Sequence, residues 1–296
     1  MRKVKVAVTQ MKNRGRPEDN IAAADRLVRG AAEAGANVIL LQEMMESDYF
    51  YQKMLESNSP PGTAVEDNPA VRHFCRVAAE LEVVIPISFF ERAGQARYNS
   101  LAVIDADGRM LGVYRKSHLP DGPGYCEKFF LNVGDTGFKV WHTRYGRIGC
   151  GVCWDQWFPE SARCLALQGA EMLLYPTAIG SEPEDPGADT MPAWRTVMQG
   201  HAAANMMPVL ASNRIGEESC GDCAINFYGS SFIADAQGQI VEQLDRETEG
   251  FACAEFDLDA LDHNRRAWGF FRDRRPDLYG PLMTLDGSTP YLKGSQ

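Results

Sequence analysis

Arg147-Ile148-Gly149-Cys150-Gly151-Val152-Cys153-Trp154-Asp155-Gln156-Trp157-Phe158-Pro159-Glu160 reads as a strand handing over to a helix. In its first half Ile148 and Val152 fall on one face of an extended chain, with the small Gly149 and Gly151 between them. In its second half Pro159 stands where the first turn of a helix tolerates proline, and Ala162, Leu165, Ala166 and Gly169 follow at helical spacing. Cys153 therefore sits on the turn between the two. A thiol placed there faces a cleft, beside backbone N–H groups free to stabilise negative charge.

The same alternation extends in both directions. Towards the C-terminus come a strand at Met172–Pro176, a helix around Ala193–Asn205 and a strand at Pro208–Asn213. Towards the N-terminus, Met1–Gln10 has a strand pattern, and Arg16-Pro17-Glu18-Asp19-Asn20 opens a helix that Gly35 closes. Asn37–Leu41 reads as the next strand, and from Val38 on it is continuously apolar, as a strand covered on both faces should be. A helix carrying Val71, Phe74, Cys75, Ala78 and Leu81 precedes a strand at Val83–Phe89. Two hairpins then echo each other: Tyr98–Ile104 returning through Met110–Tyr114, and Tyr228–Ala234 returning through Ile240–Glu242. Tyr98 matches Tyr228 and Gly108 matches Gly238 at the same offset, the mark of an internal repeat. The expected fold class is α/β, a four-layer αββα sandwich of two pseudo-symmetric halves forming one domain over residues 1–296.

Composition narrows the partners. The chain has 296 residues, 45% hydrophobic and 24% charged, with a net charge of −10, enough apolar residue for a large core. That acidic balance argues against nucleic acid, which needs clustered Lys and Arg. The Arg- and aromatic-rich stretch from Arg265 to Tyr279 is instead assigned to a C-terminal extension, residues 258–296, packing at a subunit interface. Met1–Gln10 is not a signal peptide and no run of about 18 apolar residues occurs, so a soluble cytoplasmic protein without a membrane partner is expected. The eight cysteines accordingly read as reduced thiols.

Three reactive residues lie just beyond strand ends: Glu43, Lys116 and Cys153. Singly, each has an ordinary structural explanation: a helix cap, a solvated charge, a small apolar filler. Together they supply what hydrolysis of an amide or nitrile needs. A thiol is mostly protonated at neutral pH, so a base must take its proton. A desolvated carboxylate can do that, and a fixed ammonium can stabilise the oxyanion formed on attack.

At Leu41-Gln42-Glu43, Tyr114-Arg115-Lys116 and Cys153-Trp154-Asp155-Gln156-Trp157-Phe158-Pro159-Glu160 the chain resembles the nitrilase superfamily of carbon–nitrogen hydrolases, from Val4 to about Leu285. The resemblance implies Glu43 as general base, Lys116 as oxyanion stabiliser and Cys153 as nucleophile. It makes Glu127 a second glutamate that orients substrate and lysine. It implies the αββα fold, a homo-oligomer of dimer size or larger, and neither a metal nor an organic cofactor.

Lys116–Tyr125, Tyr175–Pro183, Met198–His201 and Phe271–Tyr279 resemble more narrowly a branch of that family acting on a carbamoylated diamine. Branches that take N-carbamoyl-D-amino acids carry two arginines after the nucleophile turn to hold a carboxylate; here those places hold Gln156 and Trp157. Glu182, Glu184, Asp185 and Asp189 crowd a loop after a strand end, and Glu182 is the candidate partner for a cationic small-molecule substrate's distal ammonium. Tyr125 and Trp154 are candidate lining residues. Within the family the alternative is another linear carbamoyl or amide substrate, a β-ureido acid or an ω-amide.

A rival of a different class is a zinc or redox protein, from the C-x-x-C pairs Cys150/Cys153 and Cys220/Cys223. The first pair begins inside a buried strand and the second lies far along the chain, which does not make a compact metal knuckle. His118 and His201 are read as structural hydrogen-bonders.

Overall fold

The computed structural model describes residues 1–289, and four of its core helices begin on or beside a proline. These are α1 (Pro17–Glu33), α2 (Pro69–Leu81), α4 (Pro159–Leu167) and α5 (Met191–Asn205). Proline's fixed φ suits a first turn, where its missing N–H would have had no partner. At α2 the Asn68 side chain also accepts the Val71 N–H at 2.9 Å, a standard N-cap.

The N-terminal strands are β1 (Lys3–Gln10), β2 (Val38–Leu40), β3 (Ile85–Ala93), β4 (Ala96–Ile104) and β5 (Met110–Arg115). After the short helix α3 (Glu127–Phe130) come β6 (Val140–Thr143), β7 (Gly146–Cys150), β8 (Met172–Pro176), β9 (Val209–Ser212), β10 (Ile215–Cys220), β11 (Cys223–Tyr228), β12 (Phe232–Ala234) and β13 (Ile240–Gln243). Then β14 (Gly250–Asp257) and α6 (Leu258–Trp268) follow.

One sheet runs β14-β1-β2, continued by β3-β4-β5 through a parallel bridge between Val38 and Val84. The other runs β13-β12-β9-β8-β7-β6. Each has parallel strands at its centre and antiparallel strands outside, so β1, β2 and β3 correspond to β7, β8 and β9. The internal repeat is thus a repeat of topology. Its two turn glycines match as well: Gly108 and Gly238 both have φ +80°. A Cβ at Gly108 would lie 2.4 Å from the Cys75 carbonyl oxygen of α2, and at Gly238 2.7 Å from the Gln199 carbonyl oxygen of α5.

Period-two alternation sorts the layers. Val6, Val8, Leu101 and Val103 face Ile148, Cys150, Leu174 and Leu210 in the core between the sheets. Ala7, Ile85, Ile87 and Ala102 turn the other way to pack on α1 and α2. Leu173, Tyr175, Val209 and Ala211 pack on α4 and α5. The four-layer αββα sandwich is the observed architecture.

Several boundaries differ from the sequence pattern. β3 runs on to Ala93 because Gly94, at φ +61°, closes a tight hairpin onto β4. Tyr228 ends β11 rather than starting β12, since Gly229 and Ser230 both turn left-handed after it. The second C-x-x-C is a hairpin tip: Cys220 and Cys223 pair across the two-residue turn Gly221-Asp222. All eight cysteines are free thiols. No helix among the described residues is long and apolar enough to cross a membrane.

At the C-terminal end Leu258 is buried in the inter-sheet core and its N–H donates to the Arg2 carbonyl at 2.9 Å. α6 thus belongs to the sandwich. At its last residue Trp268 is exposed, as are Leu278, Leu282, Met283 and Leu285 beyond it; residues 290–296 of the proposed extension lie outside the described residues.

Candidate active site

The apolar run of β2 ends at Leu40, and the chain turns sharply at Met44, whose φ of +43° is left-handed. Glu43 lies on that turn, buried. β5 delivers Lys116 directly after its last residue, and α3 begins on Glu127. β7 ends at Cys150, and Cys153 opens a 3₁₀ turn with φ +44°. A non-glycine residue held left-handed at a strand-to-helix turn is the kind of strain that functional sites keep. Gly151 is needed just before it, since a Cβ there would sit 2.7 Å from the Tyr175 ring.

Glu43, Lys116 and Glu127 meet in one buried cluster, and Cys153 is buried within reach of their charges. Lys116 Nζ lies 2.7 and 2.8 Å from the two Glu127 carboxylate oxygens and 3.0 Å from Glu43 Oε1. Those three acceptors match an ammonium's three donors, so an oxyanion would have to share or displace one of them. Glu43 Oε1 also accepts the Asn99 amide at 2.6 Å, while Glu43 Oε2 is buried with no partner. Burial pulls the Lys116 ammonium down, but Glu127 and Glu43 outweigh it and hold it well above the ordinary lysine value. Burial pushes Glu127 up to about 7, with Lys116 pulling it back and Glu43 adding to the rise. The Cys153 thiol is raised far above its usual range by burial and by the Glu43 charge, with Lys116 opposing. At rest it is a thiol.

The other three candidates lie outside these hydrogen bonds. Trp154 is 37% exposed at the outer side of the Cys153 turn. Tyr125 accepts the Gly180 N–H at 3.1 Å and donates to the Ser181 carbonyl at 3.1 Å, fixing the loop that carries Glu182. Glu182 is half-buried, its carboxyl raised by burial and by Asp185. Cavities of about 440 Å³ beside Arg2, Arg147 and Glu171, and about 400 Å³ beside Tyr49 and Glu218, open elsewhere on the surface. Neither is lined by Cys153.

A family model described as carbon–nitrogen hydrolase matches residues 5–266. The chain belongs to the carbon–nitrogen hydrolase family. Among similar carbon–nitrogen hydrolases is a protein of Arabidopsis thaliana named N-carbamoylputrescine amidase, 56% identical over 273 residues, covering 91% of each chain. A Francisella tularensis protein named citrullinase is 48% identical, covering 96% of this chain and 99% of its own. The crystal structure of a Helicobacter pylori carbon–nitrogen hydrolase has a TM-score of 0.90 at 37% identity, covering 96% of this chain and 99% of that one.

In this carbon–nitrogen hydrolase the buried cluster also has neighbours that the sequence pattern did not assign to the site. Asn99 holds Glu43 across the sheet. Arg214, wholly buried, donates to the carbonyls of Met44 at 2.8 Å, Ser47 at 3.1 Å and Glu43 at 3.2 Å, and to Glu218 at 2.5 Å. Tyr49 buries a hydroxyl with no partner, and the charges of Glu127 and Glu43 act on it. Tyr228 is buried, and its hydroxyl lies 3.3 Å from the Thr190 hydroxyl. His118 Nδ1 lies 2.7 Å from Asp155, and His201 Nε2 lies 2.7 Å from the Gln156 carbonyl; both histidines hold structure, as read from the sequence.

Proposed function

We propose that the chain hydrolyses N-carbamoylputrescine to putrescine, ammonia and carbon dioxide, a step of polyamine biosynthesis. The observation that carries the chemistry is Glu43 Oε2, a buried carboxylate oxygen with no partner, in a cluster whose charges act on the Cys153 thiol. A general base needs such a free oxygen. Glu43 takes the Cys153 proton as sulfur attacks the ureido carbonyl, and Lys116, oriented by Glu127, stabilises the oxyanion. The proton passes from Glu43 to the departing ammonia, leaving an N-alkylcarbamoyl thioester on Cys153. Glu43 then activates water to cleave the thioester, and the carbamate released loses carbon dioxide to give the diamine.

The substrate assignment is supported by the relative at 56% identity named for this activity and by Glu182, a half-buried carboxylate on the loop that Tyr125 fixes. Glu182 receives the distal ammonium; Tyr125 and Trp154 line the path. The test is release of ammonia and putrescine from N-carbamoylputrescine, with citrulline and N-carbamoyl-β-alanine as comparisons and Cys153→Ala as the blank. Turnover of the cationic substrate alone, lost in the variant, supports the assignment; preference for a carboxylate-bearing substrate overturns it. No metal or organic cofactor enters this mechanism.

The exposed apolar residues from Trp268 to Leu285 fit a segment that a second copy covers in a homo-oligomer, and the reduced thiols fit the cytoplasm. A chain ending at Gly269 keeps α6; an unchanged elution volume in size-exclusion chromatography would remove the first idea, and cell fractionation tests the second.

A further inference from the structure

Cys153 and Lys116 stand at the ends of β7 and β5, strands of different sheets, so no backbone ladder fixes one against the other. The Asp155 carboxylate bridges that gap. It is fully buried and takes four donors. One oxygen accepts the Tyr114 hydroxyl at 2.7 Å and the Val152 N–H at 2.9 Å. The other accepts the His118 N–H at 3.0 Å and the His118 ring at Nδ1, 2.7 Å away. Four acceptor directions meet four donors, which uses the carboxylate fully. Val152 immediately precedes Cys153, while Tyr114 and His118 bracket Lys116.

The supports are themselves fixed. The Asp155 carbonyl accepts the Ser161 hydroxyl at 2.8 Å and the Phe158 N–H at 3.2 Å, at the start of α4. The His118 ring stacks on Phe158 with centroids 3.8 Å apart and planes 10° apart. That stacking sets the ring plane, and the carboxylate contact puts the imidazole proton on Nδ1.

We propose that Asp155 is a positioning residue for the hydrolysis, tying the Cys153 turn to the end of β5 so that Sγ and Lys116 Nζ address one substrate carbonyl. The proposal rests on the assignment of Cys153 and Lys116 made above. Cys153 holds φ +44°, and such a conformation persists only where the surroundings over-determine it. All four of its acceptor directions being taken within the protein, the Asp155 carboxylate has none left for substrate, so its loss acts on the geometry of attack. It falls on kcat more than on KM.

Asp155→Asn replaces one acceptor oxygen by an NH₂ group facing two donors. With N-carbamoylputrescine as probe and circular dichroism as the check on folding, we expect kcat to fall about a hundredfold, the scale of a misplaced reacting group, with KM within about threefold. His118 supplies a second arm that leaves the carboxylate in place. His118→Asn keeps a side-chain N–H near the Nδ1 position, and His118→Ala removes it. We expect kcat in the alanine variant to fall about tenfold and the asparagine variant to recover most of it. A folded Asp155→Asn with wild-type kcat, a loss confined to KM, or equal loss in the two His118 variants overturns the proposal. Cys153→Ala is assayed alongside. If it is inactive while the Asp155 and His118 variants turn over normally, only the positioning role fails; if it is active, the assignment of the nucleophile fails with it.

Discussion

Glu127→Gln is the substitution that most sharply separates charge from shape in the buried cluster. The side chain keeps its size and one acceptor oxygen, but Lys116 exchanges a carboxylate at 2.7 and 2.8 Å for a neutral amide. A hydrogen bond to a charged group contributes about 1.5–3 kcal/mol. Relief of the repulsion between Glu127 and Glu43 offsets part of that. A net loss of about 2 kcal/mol corresponds to a fall of about 30-fold in kcat/KM. The pH dependence supplies a second signature. With Glu127 pushed up to about 7, it is protonated below that pH and ionised above it. The carboxylate that orients Lys116 is therefore present only on the alkaline side, and wild-type kcat/KM rises through about pH 7. The variant lacks that limb. Stability moves the opposite way: a carboxyl raised from 4.5 to about 7 in the fold contributes stability that is complete below 4.5 and lost as pH rises through 7. The urea midpoint of the variant should be flatter across that range. Initial rates of ammonia release between about pH 5 and 9, with urea unfolding at the same values, measure both. A Glu127→Gln enzyme with wild-type kcat/KM at every pH would refute the reasoning.

Arg214→Met should destabilise the fold by about 3–5 kcal/mol, because it leaves Glu218 and three carbonyls without their buried donor; urea unfolding measures this, and a loss under about 1 kcal/mol would contradict it. Glu182→Gln should raise KM for N-carbamoylputrescine about tenfold or more, the worth of a charge-assisted contact. The same variant should leave uncharged N-butylurea unchanged; equal loss on both substrates would remove Glu182 as the ammonium's partner.

Much of this was legible in the chain because period-two and helical spacing are local properties. The apolar run within Asn37–Leu41, from Val38 on, predicts a covered strand, and β2 is one. The small-residue strand ahead of Cys153 predicts a tight turn, and Cys153 takes it with a left-handed φ. Glu43, Lys116 and Glu127 converge because each is delivered from a strand or helix end at one rim of the sandwich. What the pattern could not carry is contact at long range. Arg214 meets Glu43 from 171 residues away, and Asp155 meets Tyr114 from 41; neither residue stands out from its neighbours in the chain. The β10–β11 hairpin was hidden for a different reason. Its Cys220-Gly221-Asp222-Cys223 turn has the spacing of a thiol pair, and the Gly-Asp dipeptide that marks the turn sits inside it.

The central claim is that Cys153 carries the substrate covalently during turnover. Rapid acid quench during the reaction with N-carbamoylputrescine, followed by peptide mass spectrometry, tests it most directly. The account predicts an N-alkylcarbamoyl adduct on Cys153, absent in Cys153→Ala. An adduct on Cys150, or turnover persisting in Cys153→Ala, would contradict it.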